Sequence, residues 1–184
     1  MTNNKVDLVV IGAGATGASV AYEATKRGLL VALLDAGDIS GATSCRSTKL
    51  LHGGVRYLEL AFRTFNFAQL KLVREALFER GHWLEQAPFL ATRLELILPS
   101  GNCFNTAYHH IGLGLYDLLS GNKSIGNSRV LSTHQLEEAL PLLQERYRSG
   151  VAYSDGQFND ARLNLLLALT AEKAGAIVRN YCQV

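Results

Sequence analysis

Two stretches of this 184-residue chain hold residues whose types and spacing suit chemistry. The first is Gly12-Ala13-Gly14-Ala15-Thr16-Gly17, followed some twenty residues later by the carboxylate of Asp35. In such a unit Gly12 permits a tight turn, Gly14 lets an anion approach the backbone, and Gly17 lets a helix pack closely on a strand. Ala15 and Thr16 then open a helix whose unpaired N–H groups can receive a pyrophosphate. Asp35 can accept hydrogen bonds from ribose hydroxyls, and it would repel a 2′-phosphate, which disfavours NADP. The second stretch begins as a small, polar loop, residues 36–49, with Gly37, Gly41 and five hydroxyl side chains. Ser44, Ser47, Thr48 and Lys49 can direct N–H, hydroxyl and ammonium donors at phosphate oxygens or a flat heterocycle. His52-Gly53-Gly54-Val55-Arg56 follows, where paired glycines let the backbone pass close to something flat or bulky. An imidazole is suited to take a proton, and a guanidinium fork is suited to a phosphate.

The elements needed to hold these groups are legible nearby. Val6, Leu8, Val9, Val10 and Ile11 form a β-branched run that stops at Gly12. Residues 15–26 read as a helix, stopped at Gly28 after the basic pair Lys26-Arg27. Residues 29–34 form a second apolar run that ends at Asp35. The order strand, glycine turn, helix, strand and acid gives the glycine hexapeptide its specificity and marks a dinucleotide site.

Further along, residues 67–87 read as a helix with Leu70, Val73, Leu77 and Leu84 on one face, a Lys71–Glu75 pair on the other, and Pro88 as its stop. Residues 93–99 alternate as a strand, and residues 105–120 read as a helix. His109 and His110 invite a metal reading, but adjacent helical residues diverge and no carboxylate lies one turn away, so no metal site is expected. Ser132 or Thr133 can cap a short helix, and Asn159 caps the last one, which buries Leu163, Leu166, Leu167, Ala171 and Ala174. Asp155 and Asp160 read as turn and N-cap residues. Residues 176–184 read as a strand in which the chain stops, which suggests a truncated chain.

Composition narrows the class. Apolar residues make up 48% and charged residues 18%, as in a globular protein with a real core. A net charge of +2 with no basic run argues against nucleic-acid binding. The start lacks a signal-peptide pattern, and no apolar run reaches the roughly 18 residues of a membrane span. Cys45, Cys103 and Cys182 share no metal-like spacing and suit free thiols in a reducing cytosol.

The segment Gly41-Ala42-Thr43-Ser44-Cys45-Arg46-Ser47-Thr48-Lys49-Leu50-Leu51-His52-Gly53-Gly54-Val55-Arg56-Tyr57-Leu58-Glu59, set after the glycine unit, resembles the flavin-dependent glycerol-3-phosphate dehydrogenases of the D-amino-acid-oxidase-like flavoproteins. The resemblance continues through Gly112-Leu113-Gly114-Leu115-Tyr116-Asp117 and Tyr153-Ser154-Asp155-Gly156-Gln157-Phe158-Asn159-Asp160. Two departures stand out: Asp35 where a glutamate is expected, and Cys45 at a position usually small or hydroxylated. The resemblance implies an α/β chain. It would hold a Rossmann-like FAD-binding portion (residues 1–65 and 145–184) and the start of an interleaved α+β substrate domain (residues 66–144), in a family of much longer chains.

It further implies FAD as cofactor and glycerol 3-phosphate as substrate, oxidised at C2 to dihydroxyacetone phosphate with electrons passed on to a quinone. Gly12, Gly14, Ala15, Thr16, Gly17, Asp35, Ser44, Ser47, Thr48 and Lys49 would contact FAD. Arg56 would bind the substrate phosphate, and His52 would lie by the flavin as a polar contact or proton acceptor. The bland alternatives are a salt bridge of Arg56 to Glu59 and a structural, hydrogen-bonded His52. A quinone acceptor implies a cytoplasmic protein peripheral to the inner face of the cell membrane. Two other readings stay open: an amine or amino-acid oxidase of the same fold, and an inactive FAD-binding remnant.

Overall fold

The computed structural model describes residues 5–143 and 147–184. The chain divides into two compact units, Met1–Lys49 with Phe158–Val184, and Leu50–Gln157. The first expected boundary, after residue 65, falls instead after Lys49, because the helix that follows the glycine pair packs on its own neighbours in the second unit. The second, between 144 and 145, lies outside the described residues.

The first unit is a three-stranded parallel sheet with two helices. Strand β1 (Leu8–Ile11) pairs in parallel with β2 (Val31–Leu34), and β2 pairs in parallel with β7 (Ile177–Arg179). Helix α1 (Ala15–Lys26) makes the β1–β2 crossover, at the bounds expected from the sequence, and α6 (Asp160–Lys173) leads into β7. Ala18, Ala21 and Ala24 on α1 and Ala168 and Ala171 on α6 are buried in one cluster with Val31, Leu33 and Val178. Alanines on both helices permit close approach, and β-branched residues fill the sheet side. The C-terminal run is a strand only over Ile177–Arg179 rather than to the end of the chain.

The second unit packs helices against an antiparallel sheet. Its strands are β3 (Leu50–Leu51), β4 (Ala91–Ser100), β5 (Arg129–Leu131) and β6 (Ser149–Phe158), with β6 paired to the other three. Helices α2 (Val55–Thr64), α3 (Phe67–Gln86) and α4 (Cys103–Ser120) bury Leu58, Val73, Leu77 and Tyr116 together. Asn66 and Asn102 cap α3 and α4 through their side-chain oxygens. Helix α5 (Thr133–Ala139) opens with a full capping box, Ser132 with Gln135. Lys71 and Glu75 do pair along α3, 3.7 Å apart and well exposed. Lys71→Ala should therefore change unfolding free energy by less than about 0.5 kcal/mol in a urea titration.

Candidate functional site

In the first unit the glycine turn has the shape its spacing requires. Gly12 sits at φ +98°, outside the range comfortable for a side chain. A Cβ at Gly17 would overlap the Gly12 carbonyl oxygen, so strand and helix approach as closely as they do only because position 17 is bare. Helix α1 begins at Gly14 with no side-chain cap and no acid in its first turn. The helix's own first turn thus brings no negative charge to its positive end. A Cβ at Gly14 would stand 2.8 Å from Ser44 Oγ, and that hydroxyl accepts the Ala15 N–H at 2.9 Å. Asp35, at the end of β2, accepts the Ala13 N–H at 2.6 Å through Oδ2 and the Gly37 N–H at 2.8 Å through Oδ1. The carboxylate expected to meet a ribose is thereby tied to the glycine turn itself, and Ala13, Ser44 and Asp35 form one framework.

The loop after β2 is organised by α6. Ser47 donates both its N–H (3.0 Å) and its hydroxyl (2.6 Å) to Asp160 Oδ2, while the Lys49 ammonium pairs with Asp160 Oδ1 and donates to the Cys45 carbonyl at 2.8 Å. One turn on, Asn164 donates to Ser40 Oγ (3.1 Å) and to the Ser44 carbonyl (3.0 Å). Asp160 is only 1% exposed. Burial opposes its charge, yet the bonds from Lys49, from Ser47 and from the Ala161 N–H outweigh that and hold its carboxyl well below the usual carboxylate range. The sequence reading of Asp160 as the helix cap needs correction: Asn159 caps α6, accepting the Arg162 N–H at 3.0 Å, and Asp160 anchors the loop. Thr48 is exposed.

A carboxylate whose pKa is depressed in the folded state stabilises above its unfolded value and loses that contribution as pH falls below it. For Asp160 the loss should therefore begin below about pH 4, near the free-aspartate value of 3.8. Asp160→Asn is expected to cost about 1.5–3 kcal/mol at pH 7 and to flatten acid unfolding, read by circular dichroism across pH 2–7.

The second unit carries the histidine–glycine–arginine turn. His52 is exposed, Gly53 and Gly54 are buried, and Gly54, at φ +79°, caps α2 in the left-handed region. Arg56 is the second residue of α2, a helix with no side-chain cap and no acid in its first turn. Glu59 is held by Arg63 at 2.7 Å, and Arg56 makes no ion pair among the described residues, so the expected alternative partner is taken. The bulky groups that pass close to Gly53 belong to this chain: a Cβ there would overlap Leu77 Cδ2 and lie 2.8 Å from the Tyr116 hydroxyl.

Beneath this turn lies a buried polar network. Tyr116 Oη accepts the Gly53 N–H at 2.7 Å and donates to the Asp155 carboxylate, 3.3 Å from each oxygen. Arg80, 2% exposed, donates to Asp155 Oδ1 (2.9 Å), to the Ser154 carbonyl (3.3 Å) and to Ser120 Oγ (3.2 Å). Its guanidinium also lies 5.5 Å from the Tyr116 ring centre. Burial pushes the Asp155 carboxyl up from its usual range against the pull of Arg80 and Tyr116, and pushes the Tyr116 phenol up as well. Asp155 is thus no turn residue. It lies inside β6, because the pairing with β3 carries the strand past the Asp155-Gly156 dipeptide. Arg80, Tyr116 and Asp160 were missed as organising groups. The available signal for Arg80 was a charge placed three residues after Leu77 on an apolar stripe, which calls for a buried partner.

The chain as a whole is similar to known proteins. The profile of FAD dependent oxidoreductases matches residues 7–184. The mitochondrial glycerol-3-phosphate dehydrogenase of Homo sapiens is 44% identical over 182 residues, 98% of this chain and 25% of that protein. That of Saccharomyces cerevisiae is also 44% identical, over 98% of this chain and 28% of its own. The chain therefore spans about a quarter of the length of the curated relatives it matches. The solved glycerol-3-phosphate dehydrogenase of Bacillus halodurans, complexed with FAD, superposes with a TM-score of 0.66 at 28% identity, covering all of this chain and 28% of that one. FAD is the cofactor of the family, and a glycine turn that opens a helix with no acid in its own first turn suits a pyrophosphate. By its match across residues 7–184, the chain belongs to the FAD dependent oxidoreductases.

Proposed function

We propose that this chain supplies the FAD-binding turn and part of the substrate site of a flavin-dependent glycerol-3-phosphate dehydrogenase. The observation that carries this reading is the glycine turn: left-handed at Gly12, closed at Gly17, and opening a helix whose N-cap is a bare glycine and whose own first turn carries no acid. Gly12, Gly14, Ala15, Thr16 and Gly17 would hold the pyrophosphate of FAD. Asp35, Ser44, Ser47, Thr48 and Lys49 would line the cofactor, with Ser47 and Lys49 shaping the loop around it, because Asp160 engages both of their side chains and the Ser47 N–H. When bound, FAD supplies the acceptor for the hydride of the alcohol carbon.

The chain's own residues would supply part of the remaining chemistry. Arg56 presents a guanidinium at the uncapped start of α2, where fork and helix end both favour a dianionic phosphate. His52, exposed just before the glycine pair, would take the hydroxyl proton, which leaves the alcohol carbon free to give up its hydride. The relatives' names and their 44% identity support glycerol 3-phosphate as the substrate.

A quinone acceptor and attachment at the cytoplasmic face of a membrane complete the reading. Among the described residues no helix is long and apolar enough to cross a membrane. The support for attachment is an apolar groove of about 300 Å³ in the second unit, lined by Leu58, Phe62, Leu98, Ile111 and Leu115. Flotation with anionic vesicles should carry the protein upward; sedimentation without lipid would remove this part.

Arg56→Ala, in a full-length enzyme carrying this segment, is expected to raise KM for glycerol 3-phosphate by about 10- to 100-fold, the loss of one charged hydrogen-bonding partner, while FAD content stays constant. An unchanged KM would remove Arg56 from the phosphate site.

A further inference from the structure

We infer that Tyr116 is a positioning residue for the His52–Gly53–Gly54 turn, acting through the Gly53 amide, and that the Arg80–Asp155 pair fixes the direction of its hydroxyl proton. The significance of that position rests on the reading of His52 and Arg56 as substrate-facing groups; the geometry does not.

A phenol has one proton to give. Asp155 lies 3.3 Å from the Tyr116 oxygen through both carboxylate atoms and, when charged, can only accept, so the proton points to it. A lone pair is thereby turned to the Gly53 N–H at 2.7 Å. Arg80 maintains this arrangement from α3, neutralising Asp155 on β6, bonding Ser120 on α4 and lying over the phenol ring. Three elements thus converge on one backbone amide.

That amide sits where pinning has the most effect. Gly53 and Gly54 have no side chains to restrict their backbone, and the pair separates exposed His52 from the first turn of α2, which bears Arg56. Two exposed functional groups flank a segment free to swivel, and preorganisation requires that it be held. Leu77 packs against Gly53 from one side, and Tyr116 supplies the directional contact.

The test uses the 184-residue chain, with no substrate or cofactor, so its failure is distinct from failure of the functional reading. Amide exchange and the Gly53 amide proton shift are followed by NMR in wild type and Tyr116→Phe, which keeps the ring and removes the hydroxyl. The expected result is exchange at Gly53 and the start of α2 faster by about tenfold or more, with Val73 and Leu77 unchanged within about twofold. In wild type the Gly53 shift should follow the titration of Asp155, and in Tyr116→Phe that response should vanish. The groups facing Asp155 are Arg80, Tyr116, Tyr153 and His52, so its titration is read from its own carboxyl carbon. Equal acceleration at Gly53 and Leu77 would show a general loss of stability and overturn the proposal, as would an unchanged Gly53. Should Tyr116→Phe fail to fold, Asp155→Asn decides: it keeps an acceptor for the phenol, so Gly53 protection should persist while its pH response is lost. A persisting response would overturn the proposal.

Discussion

Arg80→Met is expected to destabilise the second unit by about 3–5 kcal/mol, because it removes one partner of a buried ion pair and leaves the other uncompensated. Arg80 and Asp155 are each 2% exposed at the side chain and 2.9 Å apart. Without the guanidinium, Asp155 keeps only the Tyr116 hydroxyl among the described residues, and its carboxyl, already raised by burial, shifts further toward the neutral acid. Methionine keeps the volume of the stem on the α3 stripe, so the effect is one of charge rather than of a cavity. The double replacement Arg80→Met, Asp155→Leu should recover most of the loss, since two apolar groups of similar size leave no unpaired charge. Trp83, the single tryptophan, lies on α3 and reports the unfolding of this unit in urea. A single-variant cost below about 1 kcal/mol, typical of exposed pairs, would show that water reaches the pair.

Gly17→Ala carries the second large effect. Its Cβ would overlap the Gly12 carbonyl oxygen and stand 3.3 Å from Val10 Cγ1. The neighbour in conflict is backbone and cannot rotate away, so α1 must move off β1. That costs about 1–3 kcal/mol of overpacking strain. The same displacement shifts the Ala15, Thr16 and Gly17 N–H groups away from an anion, and FAD affinity should fall by at least about tenfold. Titration of FAD by quenching of flavin fluorescence measures the affinity, and circular dichroism confirms that the variant is folded. Wild-type affinity in a folded Gly17→Ala chain would separate the glycine spacing from cofactor binding.

The parts legible in the sequence are those governed by local rules. The glycine turn and α1 follow from residue type within one supersecondary unit, and Ala15 and Lys26 are the ends expected from the pattern. Ser132 and Asn159 cap their helices as their side chains dictate. Helix α2 was not legible, since a glycine pair reads as a breaker; here Gly54 takes a left-handed conformation that starts a helix directly. Asp155 read as a turn because Asp-Gly favours one, and cross-strand pairing overrode that preference. The organising pairs lie far apart in the chain: Arg80 with Asp155 across 75 residues, and Ser47 with Asp160 across 113. No periodicity reports such contacts. The roles of His52 and Arg56 came from resemblance, and the geometry adds an exposed imidazole and, among the described residues, a guanidinium with no ion pair, on either side of a pinned turn.

The most direct measurement is a titration of the purified, folded 184-residue chain with FAD, with ADP as competitor. Saturation at one FAD per chain, reversed by ADP and weakened by Gly17→Ala, is the result expected of a pyrophosphate held at the start of α1. A chain that is folded by circular dichroism and takes up no FAD at any concentration would contradict it.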